Sequence, residues 1–175
     1  MAILIAGLAV SFWYFFKTYV PAPVDPAWAV SASASIPQGA LTVRFTGTST
    51  LLFSDGETAW MVDGWFTRVS PLSLVSGTIE PDLAGITQGL ARNGLSPDGR
   101  AELAAVIPIH SHFDHAMDAP EVAKRTGALL IGSESTANIG RGWGLPESQS
   151  RVPRDQEAVH LGAFKFPSID PRHFQ

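Results

Sequence analysis

A chain of 175 residues with 45% hydrophobic and 16% charged content can bury a core, which excludes a disordered segment and fits one domain with an appendage. The net charge of −4, with no clustered basic run, argues against a nucleic-acid groove. Cysteine is absent, so disulfides and thiolate metal sites are excluded.

From residue 2 to residue 16 the chain carries no charge, and Lys17 is the sole charge before Asp25. Apolar length over 2–20 approaches the ~20 residues that a bilayer crossing needs. Phe12, Trp13, Tyr14, Phe15, Phe16 and Tyr19 crowd its end, where aromatic rings favour a membrane interface. Residues 1–20 are therefore expected to form a helical single-pass membrane anchor, with the side of the membrane left open. The competing reading is a cleaved signal peptide with Ala32, Ser33 and Ala34 as its small-residue site. Residues 21–40, with Pro21, Pro23, Pro26, Pro37 and alternating Ser and Ala, read as a tether, and the folded domain as 41–175.

Alternation over 41–45 and the run 49–53 predict two strands broken at Gly47, and Asp55-Gly56 predicts a hairpin turn before a third strand over 58–62. That strand ends on Asp63, which by itself reads as a turn residue. Trp65 and Phe66 read as core or rim, and 71–77 as loop. Pro81, Asp82 and the spacing of Leu83, Ile86 and Leu90 predict a helix over 81–92, stopped at Asn93-Gly94. The apolar run 103–109 predicts a buried strand, with helical character over 101–105 competing at its start.

Three of the five histidines follow directly in His110-Ser111-His112-Phe113-Asp114-His115. A lone histidine is most simply a surface or hydrogen-bonded core residue; a cluster with a carboxylate at a strand end calls for metal. In extended backbone, residues two apart share a side, so His110 and His112 converge on one cation, while Asp114 and His115 from the next turn are placed to face a second. Imidazole with carboxylate suits zinc first, and manganese or iron as well.

Past the cluster, Asp118 and Glu121 read as a capping box opening a helix to Arg125, stopped by Gly127. A buried strand is expected over 128–132 and a short helix over 133–138. Gly140 to Gly144 reads as a loop, with a flap beside the site as an option and a phosphate loop rejected. Residues 159–161 and 164–169 are strand candidates around Gly162, His160 reads as a surface residue, and His173 lies just beyond the second strand, as His110 lies beyond its own. The strand–loop–helix–strand order is α/β, with the histidines at a strand's carboxyl end. The expected sheet contains 41–53, 58–62, 106–109, 128–132 and 164–169.

This order of features, an early hairpin, Asp63, the histidine run and a later histidine, resembles the metallo-β-lactamase superfamily. The runs 45–53 and 62–71 look most like the branch of ascorbate-6-phosphate lactonase and N-acylphosphatidylethanolamine phospholipase D. The resemblance implies the N-terminal half of an αββα sandwich and two divalent metal ions. It implies that His110, His112 and His173 hold one ion, that Asp114 and His115 help hold the other, and that Asp63 supports the site from behind. The implied chemistry is a metal-activated hydroxide attacking an ester, lactone, amide or phosphodiester, with a small or lipid-like substrate and Asp114 as catalytic proton acceptor. The bridging aspartate and final histidine of the family pattern have no counterpart here, so the chain is expected to be a truncated part of a hydrolase. The alternative is a non-catalytic, membrane-anchored metal-binding remnant.

Overall fold

The computed structural model describes residues 2–20, 25, 37, 39–95 and 103–166. It divides into two compact units, residues 1–36 and 37–175.

In the first unit, α1 (Ala2–Thr18) is apolar around its whole circumference, and its described side chains are exposed. Phe12 packs on Phe16 and Phe15 on Tyr19, pairs four residues apart that meet on a helix surface. Its 17 residues give a length of about 25 Å, against the ~30 Å of a hydrocarbon core. Among the described residues no helix is long and apolar enough to cross a membrane. The tether and the Ala32–Ala34 segment expected from sequence lie almost wholly outside the described residues.

The second unit is built on a six-stranded sheet in the order β1-β2-β3-β4-β5-β6. β1 (Thr42–Gly47), β2 (Thr50–Ser54) and β3 (Ala59–Val62) run antiparallel as two consecutive hairpins. The first turns at Thr48, which sits at φ 56°, and carries an irregularity between Phe45 and Gly47. In the second, Asp55 Oδ1 accepts the backbone N–H groups of Glu57 and Thr58, and those bonds, Thr58's foremost, hold its carboxyl below the usual range.

After β3 come α2 (Pro71–Ser76) and α3 (Leu83–Arg92), and then the parallel strand β4 (Leu103–Ile107). β5 (Leu129–Ile131) and β6 (Ser150–Arg151) continue the parallel half. The short α4 (Phe113–Ala116) and α5 (Ala119–Thr126) lie between β4 and β5, and α6 (Glu134–Gly142) follows β5. Leu52, Met61, Val106 and Leu130 on one sheet face pack with Ile86 and Leu90 of α3 and Val122 of α5. The other face presents Ala105, Ile107 and Ile131 to a separate two-stranded hairpin, β7 (Val159–Leu161) and β8 (Phe164–Phe166). Trp60 carries that packing outward, stacked on Phe53 and meeting Phe166 edge-on.

Several expectations are corrected. The segment beginning at Phe164 does not join the main sheet. Gly162, at φ 54°, turns the chain tightly enough that β8 gives its ladder hydrogen bonds to β7 instead. Residues 103–105 are strand, not helix, because parallel pairing with β3 and β5 overrides alanine's helix preference. Residues 71–76, expected as loop, form α2, started by Ser70, whose hydroxyl accepts the Ser73 N–H, and by Pro71 in the first turn. α3 begins after Pro81, at the Asp82 cap, and Leu83 faces solvent while Ile86 and Leu90 are buried. The stretch from Gly140 is no free flap. α6 runs through Gly142, buried Gly140 sits against Leu130, and Trp143 Nε1 donates to Glu121.

Candidate metal centre

β3 and β4 run parallel as neighbours, so their carboxyl ends meet at one edge of the sheet. The pairing extends one residue further: the Asp63 N–H donates to the Ile107 carbonyl at 3.1 Å. Asp63 then takes a left-handed conformation, φ 59°, which aspartate tolerates better than most side chains. This turn sends a fully buried carboxylate under the loop that follows β4. One oxygen accepts the Ile109 N–H at 2.8 Å, and the other accepts from His115 Nδ1 at 2.7 Å.

The chain leaves β4 through buried Pro108 and bends over residues 109–112, with His112 as the extended N-cap of α4. His110 Nε2 and His112 Nδ1 lie 3.1 Å apart, with their rings nearly perpendicular. Asp114 closes the group: one donor atom from each of His110, His112 and Asp114 falls within 4.8 Å of the others. His115, from the same helical turn, stacks obliquely on His110 at 4.1 Å between ring centres. Its Nε2 stands 3.8 Å from the Asp114 carboxylate.

These spacings suit a divalent ion. Two ligands at the usual zinc distance in a tetrahedral arrangement stand about 3.3 Å apart, close to the His110–His112 separation. The 3.8 Å gap between His115 and Asp114 is too long for a hydrogen bond, yet within the ~4.2 Å that two ligands of one ion can span. The donor chemistry agrees, with neutral imidazoles and one half-exposed carboxylate. Because Asp63 accepts a hydrogen bond from His115 Nδ1–H, Nε2 is left with a free lone pair.

The structure thus brings together Asp63, His110, His112, Asp114 and His115. His173 falls outside the described residues. His160 stands apart, exposed on β7.

Two supports of the site were not legible in sequence. Asp118 forms no capping box; its backbone is helical and its side chain makes no cap bond. Instead the buried carboxylate accepts the N–H groups of Phe66 and Thr67, at 2.8 and 2.6 Å, and the Thr67 hydroxyl at 2.8 Å. Burial raises its pKa, against the lowering effect of the Thr67 and Phe66 bonds. Asp118 thereby fixes the loop that starts at Asp63. Trp65 is held in the same loop by Thr50, whose hydroxyl accepts its N–H at 2.8 Å, and its ring meets Phe113 edge-on beside the histidines.

No family model matches the chain. It is similar to the UPF0173 metal-dependent hydrolases. Over 61 residues it is 41% identical to one from Myxococcus xanthus, covering 33% of this chain and 21% of that protein. Over 76 residues it is 36% identical to one from Pyrobaculum calidifontis, covering 40% of this chain and 33% of that protein. Among solved structures, it is similar to the metallo-β-lactamase SMB-1 in complex with mercaptoacetic acid. That similarity has 21% identity, covers 70% of this chain and 48% of the other, and has a TM-score of 0.48. The chain spans less than half of each of these proteins.

Proposed function

We propose that this chain carries the metal-binding half of a metal-dependent hydrolase of the metallo-β-lactamase superfamily. The observation that carries the reading is the convergence of His110, His112 and Asp114 at the carboxyl end of β4, with His115 oriented by buried Asp63. The similarity to curated metal-dependent hydrolases, at 41% and 36% identity, supports it. The runs 45–53 and 62–71 favour the lactonase and phospholipase D branch within that superfamily.

In this reading His110 and His112 hold one ion and Asp114 and His115 contribute to a second, with zinc as the preferred metal and manganese or iron as alternatives. Bound ions of this kind supply a nucleophile at neutral pH and stabilise negative charge on an ester, lactone, amide or phosphodiester oxygen. In a single-metal form Asp114, more exposed than His115, accepts the proton released by the attacking water. Asp63 holds the His115 tautomer, and Asp118 holds the loop on which Asp63 sits. The substrate is a small or lipid-like molecule, and α1 keeps the protein at a membrane, where its exposed aromatic rings suit the interface.

Metal analysis of the purified full chain, beside a His110→Ala/His112→Ala double variant, tests the core of this reading. Bound zinc or manganese in the wild type and its loss in the variant are expected. Equal metal content in both would refute it.

A further inference from the structure

Of the seven described arginines, three are paired with a carboxylate, three others share a cavity, and exposed Arg154 belongs to neither set. Arg125, Arg141 and Arg151 are each paired with a carboxylate at 2.6 to 2.7 Å. Arg44, Arg68 and Arg92 have no ion-pair partner among the described residues, and all three line one cavity of about 520 Å³. In a chain with a net charge of −4, three unpaired guanidinium groups around a single cavity are not explained by general surface charge.

Each arginine arrives from a different element. Arg44 pairs across the ladder with Leu52, so it extends from β1 on the helix-covered side of the sheet. Arg92 closes the last turn of α3. Arg68 comes from the loop pinned by Asp118. Its Nη1 donates to the Trp65 and Thr67 carbonyls, and its guanidinium lies over the Trp65 ring, 5.5 Å from the centre. Gly47 makes room for it, since a Cβ there would meet Nη2 at 2.8 Å. Phe66 supplies apolar wall, and the one carboxylate in the lining, Asp82, is engaged as the α3 cap by the Ala84 and Gly85 N–H groups. Three arginines against one aspartate leave the lining at a formal +2.

We infer that this cavity binds a phosphorylated small molecule. A lining of +2 matches a phosphate dianion, and guanidinium forks bond its oxygens in pairs, with donors to spare beyond the carbonyls they already serve. The volume falls in the range of metabolite sites, and Phe66 offers an apolar surface to a ring portion of the ligand. None of the metal-cluster residues lines the cavity, so binding does not require the metal.

Isothermal titration of the full chain in detergent, with chelator present and phenyl phosphate or pyrophosphate as probe, tests the inference. Saturable one-site binding is expected. Arg44→Gln and Arg92→Gln should each weaken it about tenfold, the usual scale for a charge-assisted bond, while exposed Arg154→Gln leaves it unchanged. Thermal melts identify any variant that fails to fold, and Arg92→Lys, which keeps the charge but not the fork, should bind with intermediate affinity. Absence of saturable binding, equal loss in the Arg154 control, or equally tight binding of phenylacetate would overturn the inference. Competition by a short-chain phosphatidic acid separates the two sources of phosphate. Displacement assigns a lipid headgroup and no displacement a soluble metabolite, and either result keeps the phosphate chemistry.

Discussion

Asp63→Asn isolates what the buried aspartate does for the metal cluster, because it preserves side-chain volume and asparagine also accepts a left-handed backbone. In the wild type both carboxylate oxygens accept, one from the Ile109 N–H and one from His115 Nδ1, at 2.8 and 2.7 Å. Asparagine has one acceptor and one donor to offer these two donors. If its oxygen stays with Ile109, its NH₂ faces His115, and the imidazole must move its proton to Nε2, which then cannot bind metal. If its oxygen turns to His115, the part-buried Ile109 N–H loses its acceptor, at a cost of up to ~1–3 kcal/mol. The first arrangement avoids that cost, so loss of metal affinity is the principal effect expected. Partners behind a metal-binding histidine are worth about 10- to 100-fold in affinity, or ~1.4–2.8 kcal/mol. Zinc competition titrations against a chelator would measure this, and ¹⁵N-detected imidazole shifts of the metal-free protein would report the tautomer. Wild-type affinity together with a His115 that keeps its proton on Nδ1 would refute the reasoning.

Asp114→Asn should lower turnover about 100-fold or more in any form of the protein with measurable hydrolysis, the scale of a lost general base; near-normal steady-state turnover would remove the role. Asp118→Ala strands three buried donors, from Phe66, Thr67 and the Thr67 hydroxyl, and should cost ~3–5 kcal/mol in denaturant unfolding after relief of the buried charge is allowed for. Because burial raises the Asp118 pKa in the folded state, the wild type binds this proton more readily folded than unfolded. Its stability relative to Asp118→Asn should therefore grow as pH falls from 7 through the folded pKa towards ~4; a difference constant with pH would contradict the raised pKa. Removal of residues 1–24 should release the protein from an alkaline-washed membrane pellet, whereas a mature soluble protein beginning near Ser35 would identify a signal peptide instead.

The metal cluster was legible because its chemistry is local. His110, His112, Asp114 and His115 lie within one strand-end turn, and the spacing alone aims two imidazoles at one point. The hairpin at Asp55-Gly56, the helix of 83–92 and the stop at Gly127 were legible for the same reason, since turn and cap chemistry acts over three or four residues. What sequence could not supply were bonds between residues about fifty positions apart. Asp63 by itself read as a turn residue, and Asp118 carried an obvious local explanation as a helix cap; the structure gives each its partners across 52 positions or nearly so. Strand pairing was undetermined for a similar reason. The segment from Phe164 has the same apolar pattern whether it joins the main sheet or its neighbour β7, and the turn at Gly162 decides. The arginine cavity is the extreme case, because Arg44, Arg68 and Arg92 sit on a strand, a loop and a helix that share nothing in sequence. Side chains meet in tertiary structure according to which faces are buried together. Local sequence sets which face an element buries, and only packing sets what lies opposite it.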